Sequence, residues 1–399
     1  MTTGNGGISI YSLNETLCGS LTLPDNSTII TNTPILDFTQ FAQNWSLSNS
    51  TLVNNNFFNP PGRATSSASG QYQLVAGNTV SGIIYYSNNY GYTWNPVVLP
   101  SFVIYGVSIS SSGKYSVLSQ YNGTIYFSTN YGVSWATTTS PVGGYLDIAI
   151  SALGKYIIGV GQNGLISYSS DYGINWSSLN IPIGNNPINN VSISASGQYI
   201  SLTTENFGIY ISNDFGNTFI QSNASNLFYW RSISSSASGM YQSAISGNGI
   251  SYSFNYGNSW NQSNITTGSF NQISLSSSGQ YQIVGGTNFY YSSNYGVSWT
   301  QTTIPISING LTMSSNGQFL TIVSNQQYVY NSSTPQPSIY ISGSLTVGGS
   351  GSTGFTLLSG SFVVPPASIS LLAFNGITGI TGATGATGAT GYTGATGYT

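Results

Sequence analysis

The sequence predicts an all-β protein in which one small β-rich unit is repeated around a ring. Three observations carry that expectation. An eight-residue pattern recurs six times at intervals of about 40 residues. A Gly-x-aromatic step precedes each copy and occurs a seventh time without one. Between these landmarks lie short segments that alternate apolar and polar residues, the period of a half-buried strand.

The octapeptides are 87–94, 128–135, 169–176, 212–219, 253–260 and 292–299. All begin with Ser, carry Asn or Asp third and Gly fifth, and end in Trp or, once, Phe219. The Gly-x-aromatic steps begin at Gly70, Gly113, Gly154, Gly197, Gly239, Gly279 and Gly317. The second repeat shows the unit. Val107–Ser110 alternates, a Ser-Ser-Gly-Lys turn follows, and Tyr115–Leu118 alternates again. Asn122-Gly123 marks a tight hairpin. Thr124–Phe127, the octapeptide turn and Trp135–Thr138 complete four strands, a to d. Four antiparallel strands per 40-odd residues is the spacing of a β-propeller blade.

The octapeptides resemble the Asp-box (BNR) repeat of sialidase-type propellers, Ser-x-Asp-x-Gly-x-x-Trp, over about residues 75–330. The residue types suit a turn: a short Asn or Asp side chain bonds turn N–H groups, Gly tolerates positive φ, and Trp anchors a hairpin in a core. The resemblance implies structural roles, away from any catalytic centre, for Asn89, Trp94, Asn130, Trp135, Asp171, Trp176, Asp214, Asn255, Trp260, Asn294 and Trp299.

The seventh landmark supplies strands a to c, at Leu311–Ser314, Phe319–Val323 and Tyr328–Asn331, and no octapeptide follows. The missing strand is expected at the other end of the chain, because Phe41-Ala-Gln-Asn-Trp45 matches Tyr131-Gly-Val-Ser-Trp135 with Ala for Gly. Seven blades over 38–333, closed by an N-terminal strand, leave no free sheet edge.

From Gly376 to Thr399 run eight triplets, each opened by Gly and closed by Thr. Strict period three with Gly at every first position is the pattern of a collagen triple helix, whose axis admits only Gly. The strand-rich 334–375 is too small to bury a core alone, so it is expected to be a trimerising neck. The β segment 1–37 has similar character and is a candidate for the same neck or a base. A propeller head on a Gly-x-Thr stalk resembles the surface-fibre proteins of giant DNA viruses, with bacterial exosporium fibres a weaker match. That resemblance implies a homotrimer on a virion surface or extracellular fibre, with Thr384, Thr387 and Thr390 as candidate O-glycosylation sites.

Composition narrows the chemistry. Only 3% of residues are charged, with four basic and seven acidic side chains and no His, against about 25% charged in ordinary proteins. Four cations do not make a phosphate-binding surface, so no nucleic-acid partner is expected. Without His and with the single Cys18, no metal or other cofactor is expected. No apolar run is long enough to insert in a membrane, and the N-terminus shows no secretory signal. Sialidase resemblance would require an arginine triad, yet only Arg63 and Arg231 are present. No catalytic residue is therefore assigned.

Arg63, Asp147 and Arg231 are expected at the starts of strands a, which line the channel, and Glu205 in a b–c turn on the same face. Together with Trp230 and Tyr145 from the d–a loops, they form a candidate axial binding site for a sugar or carboxylate. The alternative is that sparse charges merely fill a wet channel and that the rings cover the blade tops. The functional expectation is a non-enzymatic trimeric fibre whose heads attach to a glycan or protein. Its competitors are a purely structural filament or coat built by head-to-head contacts and, less favoured, a glycan-cleaving enzyme.

Overall fold

The computed structural model defines residues 63–77, 82–224, 228–302, 307–324 and 329–333, together with 45–48 and short strands nearer both ends. The chain divides into two units, Leu36–Pro335 and a second formed by Met1–Ile35 with Gln336–Thr399.

The larger unit is a seven-bladed β-propeller. Blades 1 to 6 cover 63–98, 104–137, 145–178, 188–221, 230–262 and 270–302, each as one four-stranded antiparallel sheet in the order a-b-c-d. Blade 7 takes strands a to c from Ile308–Met313, Phe319–Ser324 and Val329–Ser333, and its outer strand is Trp45–Leu47. Ser332, Asn331 and Tyr330 pair with Trp45, Ser46 and Leu47. Residues far apart in the sequence thus close the ring.

Strands a are Arg63–Ser66, Ile104–Ile109, Tyr145–Ile150, Ile188–Ile193, Trp230–Ser235, Phe270–Leu275 and Ile308–Met313. In blades 2 to 7 each has a bulge at its second residue. A bulge re-aims the side chains that follow it.

The two sequence landmarks meet across blade boundaries. The aromatic of each Gly-x-aromatic step packs over the landmark glycine of the next blade: Tyr72 over Gly113, Tyr115 over Gly154, Tyr156 over Gly197, and onward to Phe319 over Gly70. A Cβ at Gly70, Gly113, Gly154, Gly197, Gly239 or Gly279 would come under 3.0 Å from that ring-bearing side chain. Close packing and a positive φ therefore both select glycine at these positions.

The same rings contact the fourth octapeptide residue of the next blade. Tyr72 stacks on Tyr131 at 4.4 Å and Tyr199 on Tyr256 at 4.2 Å, and Tyr241 lies tilted against Tyr295 at 4.4 Å. Phe319 meets Tyr90 at 4.6 Å across the blade 7 to blade 1 closure. Those fourth residues have φ between 60° and 64°, a region that aromatic residues seldom occupy. Together with the glycine that follows, each forms the centre of a tight turn with two positive φ values.

Side chains hold these turns. In all six, the first Ser Oγ accepts the fifth-residue Gly N–H at 2.9–3.1 Å. The third-residue oxygen accepts the seventh-residue N–H at 2.9–3.0 Å. Trp135, Trp176, Trp260 and Trp299 each donate Nε1–H to the turn glycine carbonyl at 2.9 Å. Trp94 lacks that bond. Its turn carbonyl, Gly91 O, accepts instead from Asn331 Nδ2 of blade 7 at 2.6 Å.

In the smaller unit, Ser20–Thr22, Thr28–Ile30, Ile339–Ser342 and Phe362–Val364 form one antiparallel sheet in that order. Strands from both ends of the chain thus share a sheet. Cys18, the Gly-x-Thr run 376–399 and, within it, Thr384, Thr387 and Thr390 lie outside the described residues.

Candidate functional site

The seven strands a surround an axial cavity of about 280 Å³. One level of its wall is nearly all hydroxyl: Thr65, Ser108, Ser192, Ser234, Ser274 and Thr312, with Ala149 in the third blade. Each lies five residues before a landmark glycine, so this column is legible in the sequence once the register is known. Sequence reasoning that looked only for charge missed it.

Asp147 is the charged group in this wall, and it is 7% exposed. Its Oδ2 accepts from Asn190 Nδ2 at 2.5 Å and from Val191 N–H at 3.0 Å. Both donors belong to blade 4, so the carboxylate bridges two blades. Asn190 repeats the device, with Oδ1 accepting Ile233 N–H of blade 5 at 2.8 Å. Gln272 Oε1 does so from Leu311 N–H of blade 7 at 3.0 Å. Burial pushes the Asp147 carboxyl up to about 6, against the lowering effects of Arg63, of the Val191 and Ile148 N–H groups and of Asn190.

At the a–b turns the ring closes through the backbone. Ala68 N–H donates to Ser111 O, Ser111 to Ala152, Ala152 to Ala195, Ala195 to Ala237, Ala237 to Ser277, Ser277 to Ser315, and Ser315 back to Ala68. All seven bonds are 2.8–3.1 Å. The circuit satisfies polar backbone groups that would otherwise face the channel mouth.

The expected axial constellation is only partly assembled. Arg63 and Asp147 occupy equivalent register positions, and Arg63 is near enough to lower the Asp147 pKa. Arg63 Nε donates to Tyr105 O of blade 2 at 2.7 Å, a bond between blades. Arg231 sits one residue earlier, on the bulge, so Ser232 takes the channel position. The Arg231 side chain is exposed, 5.7 Å from the Tyr229 ring and 3.4 Å from Phe270 O. Glu205 is half-buried in the b–c connection of blade 4 and, like Arg231, is not part of the cavity wall.

Two of the aromatics expected at the axial site are buried. Tyr145 is fully buried, with its hydroxyl 2.7 Å from Pro141 O, to which it donates, and 2.8 Å from Ser167 Oγ. Trp230 is 1% exposed and lies between Phe228 and Trp260 at 5.8 and 6.2 Å. Both are the first residue of a strand a, ahead of the bulge, and point into the blade interface. Tyr229 is the ring that remains exposed, at 44%.

Grooves also lie at the outer seams. The blade 3/4 seam holds a groove of about 350 Å³ between Trp176 and Phe215. The blade 4/5 seam holds one of about 260 Å³ between Ile211 and Tyr256. Among the described residues no group of three His, Cys, Asp or Glu could hold a metal ion, and no helix is long and apolar enough to cross a membrane.

These features define the class of the larger unit as a seven-bladed β-propeller with a polar, internally bonded axis. Solved structures share that architecture. One, described as YCF48 bound to D1 peptide, is similar with a TM-score of 0.55 and 14% identity over 73% of this chain and 97% of the other. At that identity the likeness concerns the fold. No protein-family model matches the chain, and no curated protein matches it.

Proposed function

We propose that this chain is a non-enzymatic, homotrimeric surface-fibre protein of a virion or other extracellular fibre, whose propeller heads attach to a glycan or protein. On this reading the octapeptides are Asp-box turns, the smaller unit is a trimerising neck, and the Gly-x-Thr run is a collagen-like stalk carrying sugar on threonine. The observation that carries the reading is the fate of five charged groups among the described residues. Asp171 and Asp214 are spent inside their own turns, Asp147 joins two blades, and Arg63 and Arg231 bond neighbouring backbone. Acid–base glycoside chemistry needs a pair of free carboxyl groups, and these three are committed elsewhere.

The described surface presents aromatic rings, amides and hydroxyls, among them Tyr92, Tyr229, Asn175 and Thr218, a composition suited to weak polar adhesion. Printing the full chain against a mixed glycan and protein array tests this. Saturable binding to a defined class supports attachment. Silence across the array favours a coat built by head-to-head contacts, and turnover of printed glycans would restore an enzyme.

A further inference from the structure

Building on the attachment reading, we propose that the outer seam grooves between blades 3 and 4 and between blades 4 and 5 are binding sites for neutral pyranose glycans. The two grooves are the same site repeated. In the first, Tyr168, Trp176 and Phe215 supply apolar walls, and Ser170, Asn175 and Asn217 supply polar groups. In the second, the matching positions are Ile211 and Tyr256, with Asn213, Thr218 and Asn258, while Ile220 stands where the first groove has Ser177 and supplies the wall that Trp176 gives there. Each groove is thus walled by strand c, the octapeptide turn and the start of strand d of one blade and by the octapeptide turn of the next.

The chemistry selects the ligand class. A pyranose has an apolar C–H face that packs on rings and a rim of hydroxyls that bonds amides. Volumes of about 350 and 260 Å³ straddle the lower limit of ligand clefts, which run from about 300 to 1,000 Å³, and so suit a single sugar ring. The walls are held in place before binding. Phe215 packs tilted against Tyr156 at 5.1 Å and Tyr256 stacks on Tyr199 at 4.2 Å, while the Trp176 indole is bonded to Gly173 O. Little ordering is left for the ligand to impose.

Charge separates neutral from acidic sugars. Neither groove is lined by a cation, and Asp171 is the one charged residue in either wall. The Asn175 N–H holds the Asp171 carboxyl below its ordinary value, so it is anionic at neutral pH. Sialylated and sulfated glycans meet repulsion there with no compensating cation.

The test uses the full chain on an array carrying neutral oligosaccharides beside their sialylated and sulfated counterparts, with solution titrations of the hits. Stronger binding to neutral glycans than to acidic ones is expected, the discrimination arising at the blade 3/4 groove, where Asp171 lines the wall. Replacing exposed Asn175 and Asn217 together by Ala, and Thr218 and Asn258 together by Ala, should weaken neutral-glycan binding at least tenfold with an unchanged circular dichroism spectrum, the lost turn bonds to Asp171, Asp214 and Asn255 showing only as a lower melting point. Asp171→Asn should admit acidic glycans. Neutral-glycan binding that survives both double variants but is lost with Arg231→Ala or Asp147→Asn would overturn the grooves while leaving attachment intact. Binding to acidic glycans alone would also overturn them. Silence across the array would overturn both the grooves and the glycan form of attachment.

Discussion

Asp147 gives the sharpest test of the way this protein uses its few charges. Burial raises its carboxyl from 3.8 to about 6 in the folded chain. Between those values the folded state keeps a proton that the unfolded state has released. Stability should therefore be full below the unfolded pKa and should be lost as pH rises through about 6. The gap corresponds to about 3 kcal/mol at full ionisation. For a unit of about 300 residues, an unfolding entropy of about 2 cal/mol/K per residue converts this to a fall of roughly 5 °C in melting temperature. Asp171 and Asp214 do not obscure the effect. The Asn175 N–H lowers the former, and in the latter burial is the largest single influence and raises the carboxyl, but the bonds from Thr218, Ser212 and the Asp214 N–H together outweigh it. Their contributions are lost only as pH falls below the ordinary carboxylate range. Asp147→Asn retains an oxygen that can accept from both Asn190 and Val191. Thermal unfolding followed by circular dichroism at about pH 4 and about pH 7 should show the wild type losing stability and the variant staying level. At about pH 7 the variant should melt higher. A wild type that gains stability over that range, or an Asn variant that melts lower at about pH 7, would refute the reasoning.

Three further outcomes follow from the packing. Gly197→Ala should cost about 1–3 kcal/mol, because the new Cβ collides with Tyr156 at a φ of 86°; urea midpoints check this. Asn331→Ala should destabilise by about 1–3 kcal/mol, since it strands Gly91 O and removes an acceptor from Thr321 Oγ1 at the blade 7/1 seam; the same titration reads it. Replacing Ser46 with Pro should loosen ring closure, because a ring nitrogen cannot donate within the Trp45–Leu47 pairing. Limited proteolysis should then cut near residue 333 faster than in the wild type.

Much of this architecture is legible in the sequence because turns are local. The octapeptide needs only Ser, Asn or Asp, and Gly at fixed offsets, and the seventh Gly-x-aromatic step without an octapeptide showed that one strand must come from elsewhere. Trp45, matched to Trp135, pointed to the strand that pairs with Tyr330, Asn331 and Ser332. The candidate site was less legible. A bulge shifts the alternation of strand a by one residue, so Arg231 leaves the channel position and Trp230 and Tyr145 turn inward. No feature of a single repeat announces that shift. The pairing of each Gly-x-aromatic ring with the octapeptide aromatic of the next blade was also hidden. Both periods are visible in the chain, but their offset by one blade belongs to the closed ring.

Weak polar grooves attach a particle only when several act together, so the number of heads carried by one fibre lies at the centre of the account. Sedimentation equilibrium of the full chain at neutral pH measures it directly. The account predicts a particle of three 42.0 kDa chains, stable to dilution. A 42.0 kDa particle at every concentration would contradict it.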